Sequence, residues 1–192
     1  MRRPIPMATG VAAMLLALVA LPAAADPDAE PSAAVTLAAP ADPLARLAGT
    51  WELSTPRAAW RDRERAIRQA TARLGLLVRE PARRQLRDEI PVHYRVELAR
   101  AAEGLRTHAG AYDLTFPVDD APHPWTDPWG KRIEVRQRLA GAALVQRFES
   151  RSGALTQTMA VDARGERVRL DVQVEARRLP RPVRFSVRYR RR

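Results

Sequence analysis

Asp119, Asp120, His123 and Asp127 come nearest to chemistry in this chain. They lie in P-V-D-D-A-P-H-P-W-T-D-P-W-G, from Pro117 to Gly130. Carboxylates with an imidazole are metal-ligand types, and an imidazole beside a carboxylate is the equipment of a general base. A metal site also needs convergent geometry, which a stretch with four Pro residues is poorly suited to hold. No recognisable motif sets a Ser, Cys or Lys nucleophile near His123. We therefore expect no catalytic residue, no metal and no cofactor, and a protein that is not an enzyme.

A second set is uncharged. Gln137, Gln146 and Gln157 each interrupt an otherwise apolar strand face. With Leu139 placed opposite Ala142, Val135 faces Gln146. With Phe148 placed opposite Leu155, Gln146 faces Gln157, and Gln137 sits diagonal to Gln146. The three amides then cluster on an inner face, where each needs a partner. Two readings stay open. The amides hold the polar end of an amphiphile, or they satisfy one another and a trapped water. The expected ligand-binding set is Gln137, Gln146, Gln157, Tyr94, Phe148, Phe185 and Tyr189.

The elements that must position these residues are strands. Val168, Leu170, Val172 and Val174 alternate with polar residues, as do Val183, Phe185, Val187 and Tyr189. A period of two marks strands with one dry and one wet face. Pairing Ala176 with Val183 would set Glu175 against Arg184 and Asp171 against Arg188 outside. Upstream, Val92, Tyr94, Val96 and Leu98 form one dry face, Leu105 to His108 a short strand of poor alternation, and Tyr112, Leu114 and Phe116 another dry face. Ile133 to Leu139, Leu144 to Phe148 and Leu155 to Val161 follow, the first pair joined by an Ala140-Gly141 turn. With a run at Trp51 we count nine short strands, the Pro117–Gly130 stretch being irregular, with Trp125 and Trp129 placed to cover a barrel mouth.

Helical spacing occupies residues 56–89. Thr55-Pro56 opens a first helix whose stripe is Trp60, Ile67, Ala70 or Thr71, Leu74 and Leu77 or Val78. Glu64 and Arg68 make an i,i+4 pair. Pro81 starts a second helix, and Pro91 ends it. The pattern is mainly β: an antiparallel up-and-down β-barrel of about 8–10 strands, with a helix pair between the first and second strands.

The chain has 192 residues and a net charge of +11. Residues 1–25 read as a signal peptide, with Arg2-Arg3, an apolar run and Ala23-Ala24-Ala25. The apolar run is too short for a permanent span, so no transmembrane segment is expected after its removal. Residues 26–43 read as a disordered Ala/Pro-rich leader, and 44–192 as one barrel domain. The expected location is periplasmic or secreted. From Lys131 onward, 17 basic residues stand against 6 acidic ones, so the basic face belongs to the C-terminal strands. Such a face attracts anionic envelope lipid or a protein partner, and also discourages edge pairing. It lacks outward aromatics for base stacking, so no nucleic-acid partner is expected.

The stretch G-T-W-E-L, Gly49 to Leu53, resembles the opening of calycin barrels, the lipocalins and fatty-acid-binding proteins. A-L-V-Q-R-F, Ala143 to Phe148, is similar to a strand of the latter. The resemblance covers about Leu47 to Tyr189. It implies that Gly49 and Trp51 close one barrel end, and that the helix pair is a lid over a ligand portal. A plug of the barrel end would bury the same stripe. Fatty-acid-binding proteins hold the carboxylate with an inward Arg and Tyr two residues apart on the last strand. Here Arg188 adjoins Tyr189 and should point outward, as should Arg190. A neutral or mostly apolar ligand is the easier fit.

Two functions follow. The first is an exported lipocalin-like protein that binds a small lipid or other apolar ligand. The second is an envelope interaction module using the Arg-rich C-terminal face on anionic glycolipid or a protein partner. A packed interior would remove the first.

Overall fold

The computed structural model describes residues 42–192. The expected signal peptide, residues 1–25, and almost all of the expected leader, residues 26–43, lie outside the described residues. Three helices, α1 (Pro43–Leu47), α2 (Pro56–Thr71) and α3 (Leu76–Glu89), accompany ten strands. The first four strands are β1 (Gly49–Leu53), β2 (Arg95–Ala101), β3 (Gly104–Ala109) and β4 (Tyr112–Phe116). Then come β5 (His123–Thr126), β6 (Arg132–Ala140), β7 (Ala143–Ser150), β8 (Gly153–Val161), β9 (Arg167–Ala176) and β10 (Val183–Arg191). All pairings are antiparallel, in the order β4-β3-β2-β1-β10-β9-β8-β7-β6-β5. First and last strands pair, so the meander rolls into a barrel that lacks one ladder, between β4 and β5. Among the described residues no helix is long and apolar enough to cross a membrane.

The closed end is built on Trp51 and Arg191. Trp51 is 1% exposed and donates its indole N–H to the Leu47 carbonyl at 2.8 Å. The Arg191 guanidinium lies 4.3 Å above the indole ring. It donates to the carbonyls of Ala48 (2.8 Å), Arg46 (2.6 Å) and Gly165 (2.8 Å). Gly49 has φ +139, and a Cβ there would meet Arg191 Nη1 at 2.5 Å. The glycine two places before the Trp is thus required by the arginine that covers it.

Several expectations are corrected. Val183 pairs with Val174, not with Ala176, so Phe185 faces Val172 and Arg184 faces Gln173. The faces survive this two-residue slip, but Glu175 loses Arg184 and Asp171 faces Ser186. Glu175 and Ala176 pair with Ala154 and Gly153 of β8, and Leu179 in the loop packs on the core. Between β6 and β7, Leu139 pairs with Leu144, and the turn is Gly141-Ala142 with Gly141 at φ +60. The Pro-rich stretch contains β5, which brings the strand count to ten. Pro124 is tolerated because β5 is an edge strand with β6 as its one neighbour.

The helices differ too. α3 begins at Leu76, with Pro81 inside it. Glu64 pairs with Arg63 and with Arg87 of α3 rather than with Arg68. The buried stripe of α2 is Ala59, Ala66, Ile67, Ala70 and Thr71, and its three alanines let it pack against β10. Trp60 is 40% exposed, and Leu77 and Val78 lie exposed in the first turn of α3. Residue 43, assigned to the leader, opens α1.

Trp51→Ala is expected to cost about 3–5 kcal/mol, as for other buried Trp truncations. Gly49→Ala should cost about 1 kcal/mol or more, because L-residues disfavour that φ. Urea unfolding of each variant measures both.

Candidate functional site

The barrel interior changes character along its axis. Leu105 and Leu144 are wholly buried toward the closed end, and Met159 is nearly so. Above them comes a level of amides. Gln137 and Gln146 stand directly opposite one another, not diagonally, and Gln146 faces Gln157 on its other side. Gln146 Nε2 donates to Gln137 Oε1 at 2.7 Å and to Thr107 Oγ1 at 3.1 Å. Thr107 belongs to β3, so this bond ties two distant parts of the sheet through the interior. Gln137 Nε2 donates to the Phe116 carbonyl at 3.2 Å. The core is therefore filled from Trp51 up to this level.

The amide account does not balance. Gln146 is 0% exposed, and its Oε1 accepts no hydrogen bond. Leaving a buried acceptor unpaired costs about 1–3 kcal/mol. Gln157 faces it from β8 and is only half-buried, yet no hydrogen bond joins them among the described residues.

Beyond the amides, toward the helices, the inner face is apolar. Ile133, Phe148 and Leu155 are inward by register and half-buried, while Val174 and Val183 nearby are buried. α2 covers the β10 side of this end. Two clefts of roughly 390 and 330 Å³ lie elsewhere. One is between α2 and the β9–β10 loop; the other is on the outer face of β8, β9 and β10.

The missing ladder between β4 and β5 is bridged by side chains. Tyr112 of β4 meets Trp125 of β5 with ring centroids 5.9 Å apart, and Trp129 at 5.4 Å. Phe116 stacks on His123 at 5.6 Å. His93 packs edge-on against Tyr112 at 5.6 Å, and a Cβ on Gly110 would meet its Nδ1 at 2.9 Å. Lys131, in the β5–β6 turn, lies 3.6 Å from Glu89 at the end of α3.

The expected binding residues separate. Gln137, Gln146, Gln157, Phe148 and Phe185 share the inner face. Tyr189 is buried and donates its hydroxyl to the His93 carbonyl at 3.0 Å, and burial raises its pKa. Tyr94 leaves the set. It precedes β2 and stands 57% exposed, edge-on to Trp60 at 5.4 Å. Arg188 is exposed on the outer face. Asp119 and His123 do meet, with Oδ1 and Nε2 3.1 Å apart, and that contact holds the Asp119 carboxyl below its usual range. Among the described residues no three His, Asp or Glu side chains converge. Sequence reading missed Thr107, Arg191 and the β4–β5 aromatic bridge. Two signals were present: the Thr107 hydroxyl on an inward strand position, and Trp125 and Trp129, which bridge to Tyr112.

His93 titrates below its ordinary 6.5, because burial and the neighbouring His108 both disfavour its charge. As pH falls through 6.5 the unfolded chain takes up this proton first, so stability drops. The melting temperature should therefore fall from about pH 7.5 to about pH 5, and fall less in His93→Gln. An unchanged slope in that variant would assign the loss elsewhere.

No family model matches the sequence, and no curated protein matches it. Solved structures do. A "secretary abundant heat soluble" protein from Ramazzottius varieornatus is 14% identical over 77% of this chain and 96% of its own, with TM-score 0.51. Lipid binding protein 8 of Caenorhabditis elegans is 10% identical over 77% and 96%, with TM-score 0.46. A fatty acid transporter (REP1-NXSQ) is 16% identical over 77% and 96%, with TM-score 0.45. At such identity the likeness concerns architecture. The described chain has the calycin-type fold, a nearly closed ten-strand antiparallel barrel with its helix pair between the first two strands.

Proposed function

We propose that this chain binds a small, largely apolar molecule in the helix-end half of the barrel, and is exported to do so. One observation carries the reading. Ile133, Phe148 and Leu155 point inward yet remain partly uncovered, above a core that is filled from the amides downward. An uncovered apolar wall inside a barrel, with few polar groups, is the form of a small-molecule site. The β4–β5 opening supports it as an entry, since only side chains must part there. Catalysis has less support, because the Asp119–His123 pair has no nucleophile placed against it. Export rests on the signal-like residues 1–25.

Native mass spectrometry of protein purified gently from the envelope fraction tests this. The expected result is a discrete added mass that disappears on denaturation. A bare mass, with no uptake from a total lipid extract, would overturn the reading.

A second reading is favoured by the outer face of β9 and β10. There Arg169 stands opposite Arg188, and Arg167 opposite Arg190. Like charges directly opposed destabilise a sheet, and an anionic surface would relieve them. Arg188 has no salt-bridge partner among the described residues, whereas Arg169 is 2.8 Å from Asp171. If this face binds anionic glycolipid vesicles, retention should fall steeply between about 20 and about 300 mM salt. Salt-independent retention would exclude it.

A further inference from the structure

We infer that the cleft between α2 and the β9–β10 loop is a second binding site, separate from the barrel interior, for a phosphate monoester. Arg181 and Arg184 supply its cations, and Gln69 a neutral donor. The site is independent of what the interior holds.

The cleft measures roughly 390 Å³ and is lined by Ala66, Gln69 and Ala70 of α2 and by Arg181, Pro182 and Arg184. Val183, between the last two, is wholly buried on the inner face, so alternation sends Arg184 to the outer one. Ala66, Gln69 and Ala70 share one face of α2, at i, i+3 and i+4. Both alanines are buried, so the floor is apolar, and their short side chains leave the room. The opposite wall is stiff. Residues 177–182 read R-R-L-P-R-P, where two prolines fix φ and Leu179 packs on the core.

Charge selects the ligand. No Asp or Glu lines the cleft. Among the described residues, the side chains of Arg177, Arg178 and Arg181 make no hydrogen bond or salt bridge. Arg184 donates from Nε to Gln173 Oε1 at 2.9 Å, a neutral partner, and its two Nη groups bond nothing described. Arg106 beside Asp113, and Arg169 beside Asp171, are by contrast neutralised at once. Like charges on a stiff loop with no carboxylate among them raise the local concentration of anions. The cleft on the outer face of β8, β9 and β10 shares Arg184 but contains Asp171, so an anion settles on the α2 side.

Guanidiniums suit carboxylates and phosphates alike. The number of charges separates the two. A carboxylate brings one negative charge and leaves one of the two arginines unmatched. A phosphate monoester carries about −1.5 to −2 at pH 7 and has three terminal oxygens. It matches both guanidiniums and keeps an acceptor for the Gln69 amide. Its carbon substituent then lies on the alanine floor. A soluble organic phosphate and a phosphorylated lipid headgroup share this chemistry.

Calorimetric titration of the purified protein with glycerol 1-phosphate and with glycerate, at about 50 mM salt, tests this. The phosphate should bind with a Kd of about 1 mM or tighter, and at least about tenfold more tightly than the carboxylate. The Arg181→Gln/Arg184→Gln double variant should lose at least about tenfold in affinity with its melting temperature little changed, both positions being exposed. Arg132→Gln/Arg164→Gln removes the same charge from exposed positions outside the cleft and should keep the original affinity. Flotation with phosphatidylcholine vesicles carrying about 20% phosphatidic acid separates the sources. Vesicle retention that the cleft variant abolishes assigns a lipid headgroup, and titration without retention assigns a soluble ester; either upholds the site. Equal affinity for the two soluble probes, or an equal loss in the control variant, overturns the inference, because net charge alone would then account for binding. Absence of phosphate binding both in titration and on vesicles overturns it too, and leaves the reading of the barrel interior untouched.

Discussion

The guanidinium of Arg191 is the point on which the barrel closes. It covers the Trp51 ring and bonds the carbonyls of Arg46, Ala48 and Gly165. These groups come from the segment entering β1, the turn between β8 and β9, and the end of β10. Arg46 adds a second tie, donating to the Asp162 carbonyl at 2.6 Å. Planar geometry lets one side chain serve several acceptors while its face stacks on an indole. With that end fixed, polar adaptation is left to the amides and the opposite end.

The division between a sealed and an adaptable half runs through the rest of the molecule. Below the amides, side chains are buried and the pairing is continuous through β1 and β10. Above them lie the helix pair, the half-covered wall and the β4–β5 opening. Closure there depends on Tyr112, Trp125, Phe116 and His123, with Lys131 and Glu89 between turn and helix. Exposed apolar side chains gather at the same end: Trp60, Leu76, Leu77, Val78, Tyr94 and Trp129. Burial is traded there for access.

The sequence displayed the strands because period-two alternation survives any slip of two residues. That same property hid the register. Val183 can face Ala176 or Val174 with every apolar residue still inward, and the choice fell to Leu179 and to β8, neither of which alternation reports. β5 was hidden by its prolines, which are harmless on an edge. The amide cluster was legible as residue type on a dry face, but Thr107 joined it from a strand 39 positions before Gln146 in sequence. Trp51 stood out beside Gly49; Arg191 did not, being one arginine in a run of three at the chain end. Tyr94 was misplaced because the strand begins one residue after it.

The Arg191–Ala48 bond joins groups 143 positions apart. During synthesis β1 emerges well before β10 and the arginine. The strand that carries Trp51 has no partner on its β10 edge until β10 has been made. Consecutive hairpins can form as they appear, but the ring closes only once β10 has joined them. Closure is thus a late, long-range event, the kind of contact that slows folding. A chain held open in this way stays threadable until that strand arrives.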